Sequence, residues 1–219
     1  DPLDPTKYLT FRDTDYQSQW YSSAFWHKEY VGVNGGNENI RYAASVSYLS
    51  DDGMVATTGY DVFTMHGNTT FKITKNIEAS TTFDLSRSRR DVPFDDYFTS
   101  IGRGLMMGPT TRNFDTDGNY ITGGTNKFQQ IAWFYENFFD REAATTRMTG
   151  NFNLKWNICD GLTATAQYAI FDNQYRGSYY VRGEFEGHKN FVYSTRSTTE
   201  TRTETIRNTC QAFLNYNTT

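Results

Sequence analysis

The sequence predicts an all-β protein, an antiparallel up-and-down meander of about seven strands. Apolar and polar residues alternate along several runs, which is the period of a strand with two different faces. Runs such as 63–73 are also longer than the roughly five to six residues usual in globular sheets, and match the ~9–11 that a membrane-crossing strand needs. The third observation is that the connections between runs are alternately short and long.

The strands follow from this alternation in chain order. A short helix is expected around 16–25, followed by a brief run in which Val31 and Val33 point the same way. The clearest run has Ile40, Tyr42 and Val46 on one face, and Arg41, Ser45 and Ser47 on the other. The alternating runs are 31–33, 40–48, 63–73, 77–85, 147–156, 162–170 and 206–216.

The lengths of the connections predict that the two ends of the sheet differ. Short turns are "NGGNEN", "KN" and "NICDG", whereas long connections span 50–59, about 90–142 and about 175–202. In a meander every second connection lies on the same side, so all tight turns meet at one end and all long loops at the other. Outer-membrane barrels have this asymmetry, and a soluble sandwich does not require it.

The two faces of each strand differ in a way that suits a barrel. One face carries Tyr, Phe, Trp and Leu, and the other carries Thr, Ser, Asn, Gln, Arg and Lys, as a hydrated lumen permits. A mean hydropathy of −0.70 is then expected, because half of each strand is wet. The alternative is a soluble, secreted β-sandwich that binds carbohydrate, which would bury Phe71, Phe83, Phe152 and Leu154 between two layers.

Composition excludes several other classes. A net charge of −4 argues against nucleic acid as a partner. No apolar run approaches the ~20 residues of a transmembrane helix. Cys159 and Cys210 are expected to lie too far apart for a disulfide, and the three histidines are scattered without cysteine partners, which disfavours zinc. No catalytic motif is present, so the sequence predicts neither an enzyme nor a cofactor.

One loop segment has a weak resemblance to a metal site. "DTDGNY" at 115–120 places oxygen-bearing side chains like the start of a calcium loop, but Asn126 stands where the bidentate glutamate belongs. Asp and Gly are also common turn residues. We interpret this segment, and the carboxylates at 95, 96, 115 and 117, as solvated turns.

The hairpin sequences carry a family resemblance. "GGNENIRYAASVSYLSDDGMV" and "YDVFTMHGNTTFKITKNIEASTTFDLSRSR" resemble hairpins of the SusC/RagA family of TonB-dependent outer-membrane transporters of Bacteroidetes. "RMTGNFNLKWNICDGLTATAQYA" looks like a further family hairpin, and "TDYQSQWYSSAF" resembles a stretch of the first external loop. The resemblance is most specific over 34–89.

The resemblance implies the fold and setting of a longer protein. Members have a plug domain inside a barrel of about 22 strands, a SusD-like surface lipoprotein as lid, and a TonB complex as energy source. Residues 1–26 would then be an external loop segment, and 27–219 a partial transmembrane β-barrel. The chain is expected to be a fragment in the outer membrane, in contact with lipid, that imports oligosaccharides or, as the second choice, peptides.

The aromatic segments of the long loops are the expected cargo contacts. Aromatic faces stack on sugar rings or peptide side chains, and Arg hydrogen-bonds hydroxyls and carbonyls. The alternative is that these rings pack loop against loop or against the lid. The candidate substrate-binding residues are Trp133, Tyr135, Tyr175, Arg176, Tyr179, Tyr180 and Arg182.

Overall fold

The computed structural model describes residues 13–92, 102, 105–110, 139–181 and 196–217. Its strands form one sheet in the order β1 to β7, each antiparallel to the next, which confirms the predicted meander. The elements are α1 (Tyr16–Trp20), β1 (Trp26–Gly36), β2 (Ile40–Asp51), β3 (Gly59–Lys72), β4 (Ile77–Asp91), β5 (Phe139–Cys159), β6 (Leu162–Val181) and β7 (Ser197–Tyr216).

The tight turns lie together at one end of the sheet and are built by local hydrogen bonds. The Asn37 side-chain oxygen accepts bonds from the backbone N–H groups of Asn39 and Ile40, at 2.8 and 3.0 Å. The Thr74 hydroxyl oxygen accepts from the N–H of Ile77 at 3.1 Å in the next turn. Gly161 turns the third with a φ of 80°, a conformation in which a side chain would be strained. These bonds fix the register of each hairpin.

The last three strands are longer than the alternation predicts. They contain 21, 20 and 20 residues, and they continue into segments expected to be loops: β5 begins at Phe139, β6 ends at Val181 and β7 begins at Ser197. Cross-strand backbone pairing persists there although neither face is continuously apolar: hydroxyl and charged residues are interspersed with Phe139, Tyr179 and Val181. The expected loops 90–142 and 175–202 are therefore shorter than predicted.

The short helix α1 lies at the long-loop end of the sheet. The Asp15 carboxylate caps it, accepting hydrogen bonds from the N–H groups of Gln17 and Ser18. Trp20 is 1% exposed, and its carbonyl accepts a 2.8 Å bond from the N–H of Ala56 in the β2–β3 connection. The helix and that connection thus form one packed unit.

The sheet exposes its apolar face. Directly opposite residues on neighbouring strands share a face, so the register assigns Tyr42, Phe71, Phe152 and Trp156 to one side, which we call the outer face. Phe152 is 47% exposed and Trp156 48%. On β2 the small polar residues of the opposite side, the inner face, are half-buried instead, as expected if that side is concave. This is the reverse of a soluble sheet.

No second layer covers the outer face within the described residues. Phe71, Phe83, Phe152 and Leu154 all lie on it, and Phe71 is 40% exposed. The sandwich alternative required these four side chains to be buried between two sheets, so the single sheet is against it. The structure instead has the form of a barrel wall that is open along β1 and β7.

The outer face changes character along its height. From the tight turns up to Tyr48 and Phe63 it is mainly apolar; Arg87 lies on the row of Phe63, and Asp61 and Arg89 lie on the row beyond it. Tyr48 marks the boundary, since its hydroxyl donates to the Asp61 carboxylate at 3.1 Å. An apolar band with aromatic residues at its margins is the pattern of outer-membrane barrels.

Cys159 and Cys210 are both free and exposed. Within the described part of the chain, no helix has the length and apolar character that crossing a membrane requires.

Replacing Phe152 by arginine tests which solvent the outer face meets. Phe152 lies near the middle of the apolar band, where Phe152→Arg is expected to lower the free energy of unfolding of the complete protein in lipid vesicles by about 2–4 kcal/mol. The control is Asn153→Arg, one residue along on the inner face, for which we expect less than about 1 kcal/mol. Urea titration followed by tryptophan fluorescence measures both, and equal losses would contradict the two-solvent assignment.

Candidate functional site

The inner face forms a recess of about 970 Å³ at its long-loop end. We call it the upper recess and define it by Tyr60, Arg90, Arg141, Tyr175 and Tyr179, which contribute to its lining together with threonines of β7. Five adjacent strands, β3 to β7, supply these side chains, so their spacing is set by the hydrogen-bonded ladder. The recess combines aromatic rings, guanidinium groups and hydroxyls, and the acidic residues Asp51, Asp91 and Glu142 also contribute to its lining.

The register explains why these residues meet. Tyr60 is opposite Arg90, and Arg90 is opposite Ala143, which places both side chains on one row across three strands. Arg141 is opposite Tyr179 on the next row. Such directly opposite pairs have Cβ atoms about 4.5–5.5 Å apart. Residues separated by up to about 120 positions in the sequence are therefore neighbours in the recess.

Tyr175 lies over a glycine of its own strand. Its hydroxyl oxygen is 2.8 Å from the point that a Cβ on Gly177 would occupy, and its ring carbons are 3.3 Å from that point. The ring can approach the backbone this closely only because Gly177 has no side chain. Tyr175 is consequently 37% exposed and presents its ring along the wall of the recess.

Tyr179 forms the upper border of the recess with a second ring. It stacks on Phe139 with ring centroids 6.4 Å apart and an angle of 7° between the ring planes. Phe139 and Val181 are 6% and 3% exposed, so this corner is better packed than the rest of the sheet. Packing of this kind holds the Tyr179 ring in one orientation.

The structure separates the predicted site residues that it describes. Tyr175 and Tyr179 face the recess, whereas Arg176 and Tyr180 lie on the outer face, because strand residues alternate between faces. Arg176 bonds Glu200 there, nitrogen to oxygen, at 3.3 Å. All four lie on β6 and not in a loop, which corrects the sequence prediction of their setting.

The remaining predictions lie outside the described residues. They are Trp133, Tyr135 and Arg182, together with the segment 115–120 and the carboxylates at 95 and 96. Among described residues, no group of three or more His, Cys, Asp or Glu side chains is placed to bind a metal ion.

Sequence reasoning missed three residues of the recess. Arg90 and Arg141 fall at the two ends of the long connection expected at about 90–142, so neither was assigned to a strand. Tyr60 was not singled out. Continuing the alternation of β4 by five residues from Leu85 separates Arg87 and Arg89 from Arg90, so the signal was present in the residue parity.

Below the recess the inner face is a polar ladder. The Ser47 and Thr64 hydroxyls hydrogen-bond at 2.6 Å, and the Asn151 amide donates to the Thr82 hydroxyl at 3.1 Å. His66 hydrogen-bonds Asp84 directly across the β3–β4 pair. Side chains that satisfy one another in this way suit a surface in contact with water or with other polar groups.

No family model matches the chain. Two curated relatives are similar in sequence. TonB-dependent receptor P3 of Formosa agariphila is 25% identical over 183 residues, which is 74% of this chain and 18% of the relative. TonB-dependent receptor SusC of Bacteroides thetaiotaomicron is 28% identical over 134 residues, 56% of this chain and 13% of the relative. The chain thus spans less than a fifth of either.

Solved structures of the RagAB system have a similar fold. The structure of the RagAB peptide transporter superposes with a TM-score of 0.74 at 15% identity, covering 94% of this chain and 24% of that chain. The open-open state of the RagAB peptide importer gives 0.70 at 17% identity, covering 93% and 24%. At such identity the likeness shows the fold, and it confirms a seven-strand portion of a larger all-β wall.

The Arg176–Glu200 ion pair tests whether the outer face above the apolar band is in contact with water. Both side chains are 59% exposed, so a double-mutant cycle with Arg176→Ala and Glu200→Ala should give a coupling of only about 0.2–1 kcal/mol. Raising the salt to about 1 M should remove most of it, since screening then acts within about 3 Å. Chemical unfolding of the single and double variants measures the coupling energy. The same cycle with Arg176 and Glu204 is the control. A coupling energy that persists at high salt would contradict a water-exposed pair.

Proposed function

We propose that this chain, whose resemblance to the SusC/RagA family of TonB-dependent outer-membrane transporters the comparisons confirm, is part of the barrel wall of a nutrient importer. The proposed cargo is an oligosaccharide. A SusD-like surface lipoprotein covers the outer mouth, and a plug domain elsewhere in the protein connects the barrel to the TonB complex. The proposed activity is transport, without covalent chemistry on the cargo.

The observation that carries this proposal is the reversed sheet. Large apolar residues such as Phe152 and Trp156 are exposed on the outer face, while polar residues line the concave inner face. Apolar surface of this extent is stable when it meets acyl chains, and a polar concave wall is stable when it meets a hydrated lumen. A wall between lipid and water is the part that an importer of polar solutes requires.

The upper recess supports an oligosaccharide as cargo. The flat rings of Tyr175 and Tyr179 offer faces on which a sugar ring stacks, and Arg90 and the β7 threonines offer donors for its hydroxyls. A site of rings with a few placed polar groups is typical of small-molecule recognition. In the proposed transporter the long-loop end is the external end, so a solute that enters from outside would meet the recess first.

Peptides are the second candidate cargo. The RagAB structures that share this fold are described as a peptide transporter and a peptide importer. Tyrosine rings and arginines also suit peptide side chains and carbonyls, so the recess alone does not separate the two cargoes.

Uptake by whole cells tests the proposal. We expect deletion of the complete protein, or collapse of the proton gradient, to abolish uptake of a fluorescently labelled oligosaccharide mixture. A labelled peptide mixture serves as the comparison. Loss of peptide uptake alone would favour the second cargo, and unchanged uptake of both mixtures would overturn the proposal. Co-purification of a surface lipoprotein with the tagged protein tests the partner.

Two neighbouring tyrosines give a matched test of the site. Tyr179 lines the recess and Tyr180 lies on the outer face, so in the complete transporter Tyr179→Ala should weaken cargo binding while Tyr180→Ala leaves it nearly unchanged. The expected loss for Tyr179→Ala is about 1–2 kcal/mol, or roughly fivefold to thirtyfold in affinity. Isothermal titration with the cargo found above measures it. Equal effects of the two variants would exclude the upper recess as the binding site.

A further inference from the structure

Charged residues are sorted unequally between the two faces. On the strands, the inner face carries eight lysines and arginines against three acidic residues. Five of the cations lie in its middle and upper part: Lys28, Arg90, Arg141, Arg147 and Arg207. Three lie toward the tight turns: Arg41, Lys72 and Lys155. The acidic residues of this face are Asp51, Glu78 and Asp84.

The outer face has the opposite balance. Four arginines stand there, at 87, 89, 176 and 202, against eight acidic residues, at 29, 61, 91, 140, 142, 172, 200 and 204. The chain as a whole has a net charge of −4. The positive inner face therefore results from the way charged residues alternate between the two faces along each strand. The overall composition gives no sign of it.

Local pairing leaves the inner cations in excess. Glu78 stands between two lysines on its row, Lys72 and Lys155, and Asp84 bonds His66. On the outer face, by contrast, Arg89 is 3.2 Å from Glu142 and Arg176 is 3.3 Å from Glu200. Arg89 and Arg176 thus have carboxylate partners, whereas on the described strands of the inner face eight cationic residues stand against three carboxylates.

The same wall also provides hydroxyl groups beside the cations. Along the upper part of β7 every inner position carries a hydroxyl: Ser197, Thr199, Thr201, Thr203 and Thr205. Thr199 and Thr203 are directly opposite Tyr179 and Tyr175 of β6. Thr201 lies on the same row as Arg90, three strands away. Hydroxyls and flat rings suit a sugar backbone, and the guanidinium groups suit anionic substituents on it.

We infer that the cargo is an oligosaccharide bearing negative charges, such as carboxylate or sulfate groups, drawn into the lumen by the positive inner face. The inference rests on the proposed transport function and specifies its cargo. A concave wall of one sign of charge concentrates counter-ions and speeds their entry. Screening at physiological salt acts over about 8 Å, so the attraction operates on solutes already at the wall.

Charged thiol reagents test the potential of the wall without knowledge of the cargo. In the complete transporter, with Cys159 and Cys210 replaced by serine, a cysteine is introduced by Ala143→Cys on the inner face, opposite Arg90, or by Ala144→Cys on the outer face. Position 144 is opposite Arg89 and Arg176, whose charges are offset by Glu142 and Glu200, so it controls for the mere presence of neighbouring arginines. The rates of an anionic and a cationic methanethiosulfonate are compared, with the ratio for free cysteine as reference and the cysteine-free protein as background.

We expect the anionic reagent to be favoured at position 143 by about fivefold relative to position 144. Adding Arg90→Gln should reduce this preference, and Arg87→Gln, on the outer face, should leave it unchanged. A ratio at position 143 equal to or below that at position 144 would overturn the inference, even if uptake assays still show an importer. Thermal unfolding of each variant confirms that the barrel is intact.

Protection of the introduced thiol at position 143 tests the cargo class. Tetragalacturonate should slow its modification by an uncharged maleimide, whereas maltotetraose, a neutral oligomer of equal length, should do so at least about fivefold less well. The protection should fall as salt is raised. Tetraglutamate carries the same net charge on a peptide. If it protects the thiol as well as tetragalacturonate does, the inferred cargo is an acidic peptide and not a glycan. Equal protection by the two oligosaccharides, or none by either, would overturn the inference, while energised uptake still tests transport separately.

Discussion

The requirement that every backbone amide be hydrogen-bonded governs this fold. In hydrocarbon an unpaired N–H or C=O group costs several kcal/mol, so a chain that borders lipid as strands must pair each strand along its length. The continuous β1 to β7 ladder does so across its interior, with one irregularity near Asn157 and Cys159. Only the outer edges of β1 and β7 lie open among the described residues. Strand length, turn chemistry and face composition all follow from this demand.

Because the ladder fixes which residues share a row, it also builds the functional surface. Arg90 on β4, Arg141 on β5 and Tyr179 on β6 are far apart in sequence but lie on adjacent rows of one face. Their positions need no loop to hold them. The recess is in this sense a product of register, aided by the Gly177 backbone that admits the Tyr175 ring.

The sequence predicted most of the fold because alternation is strong where one face is apolar. Runs such as 40–48 and 147–156 are clear, and their strands were found in the predicted order. The alternation signal fades above Tyr48 and Phe63, where neither face is continuously apolar, so the upper parts of β5, β6 and β7 were expected to be loops. That error placed Tyr175, Arg176, Tyr179 and Tyr180 together, when alternation in fact divides them between two faces.

The length of the last three strands determines how far the rim of the proposed barrel stands from the membrane. Twenty residues at about 3.3 Å each give a ribbon of roughly 65 Å, or about 50 Å of vertical height at the tilt usual in barrels. Hydrocarbon occupies about 30 Å of such a height. In the proposed barrel, the rim on this side therefore extends beyond the bilayer as hydrogen-bonded strands, and a partner would dock on a rigid sheet edge above the level of the headgroups.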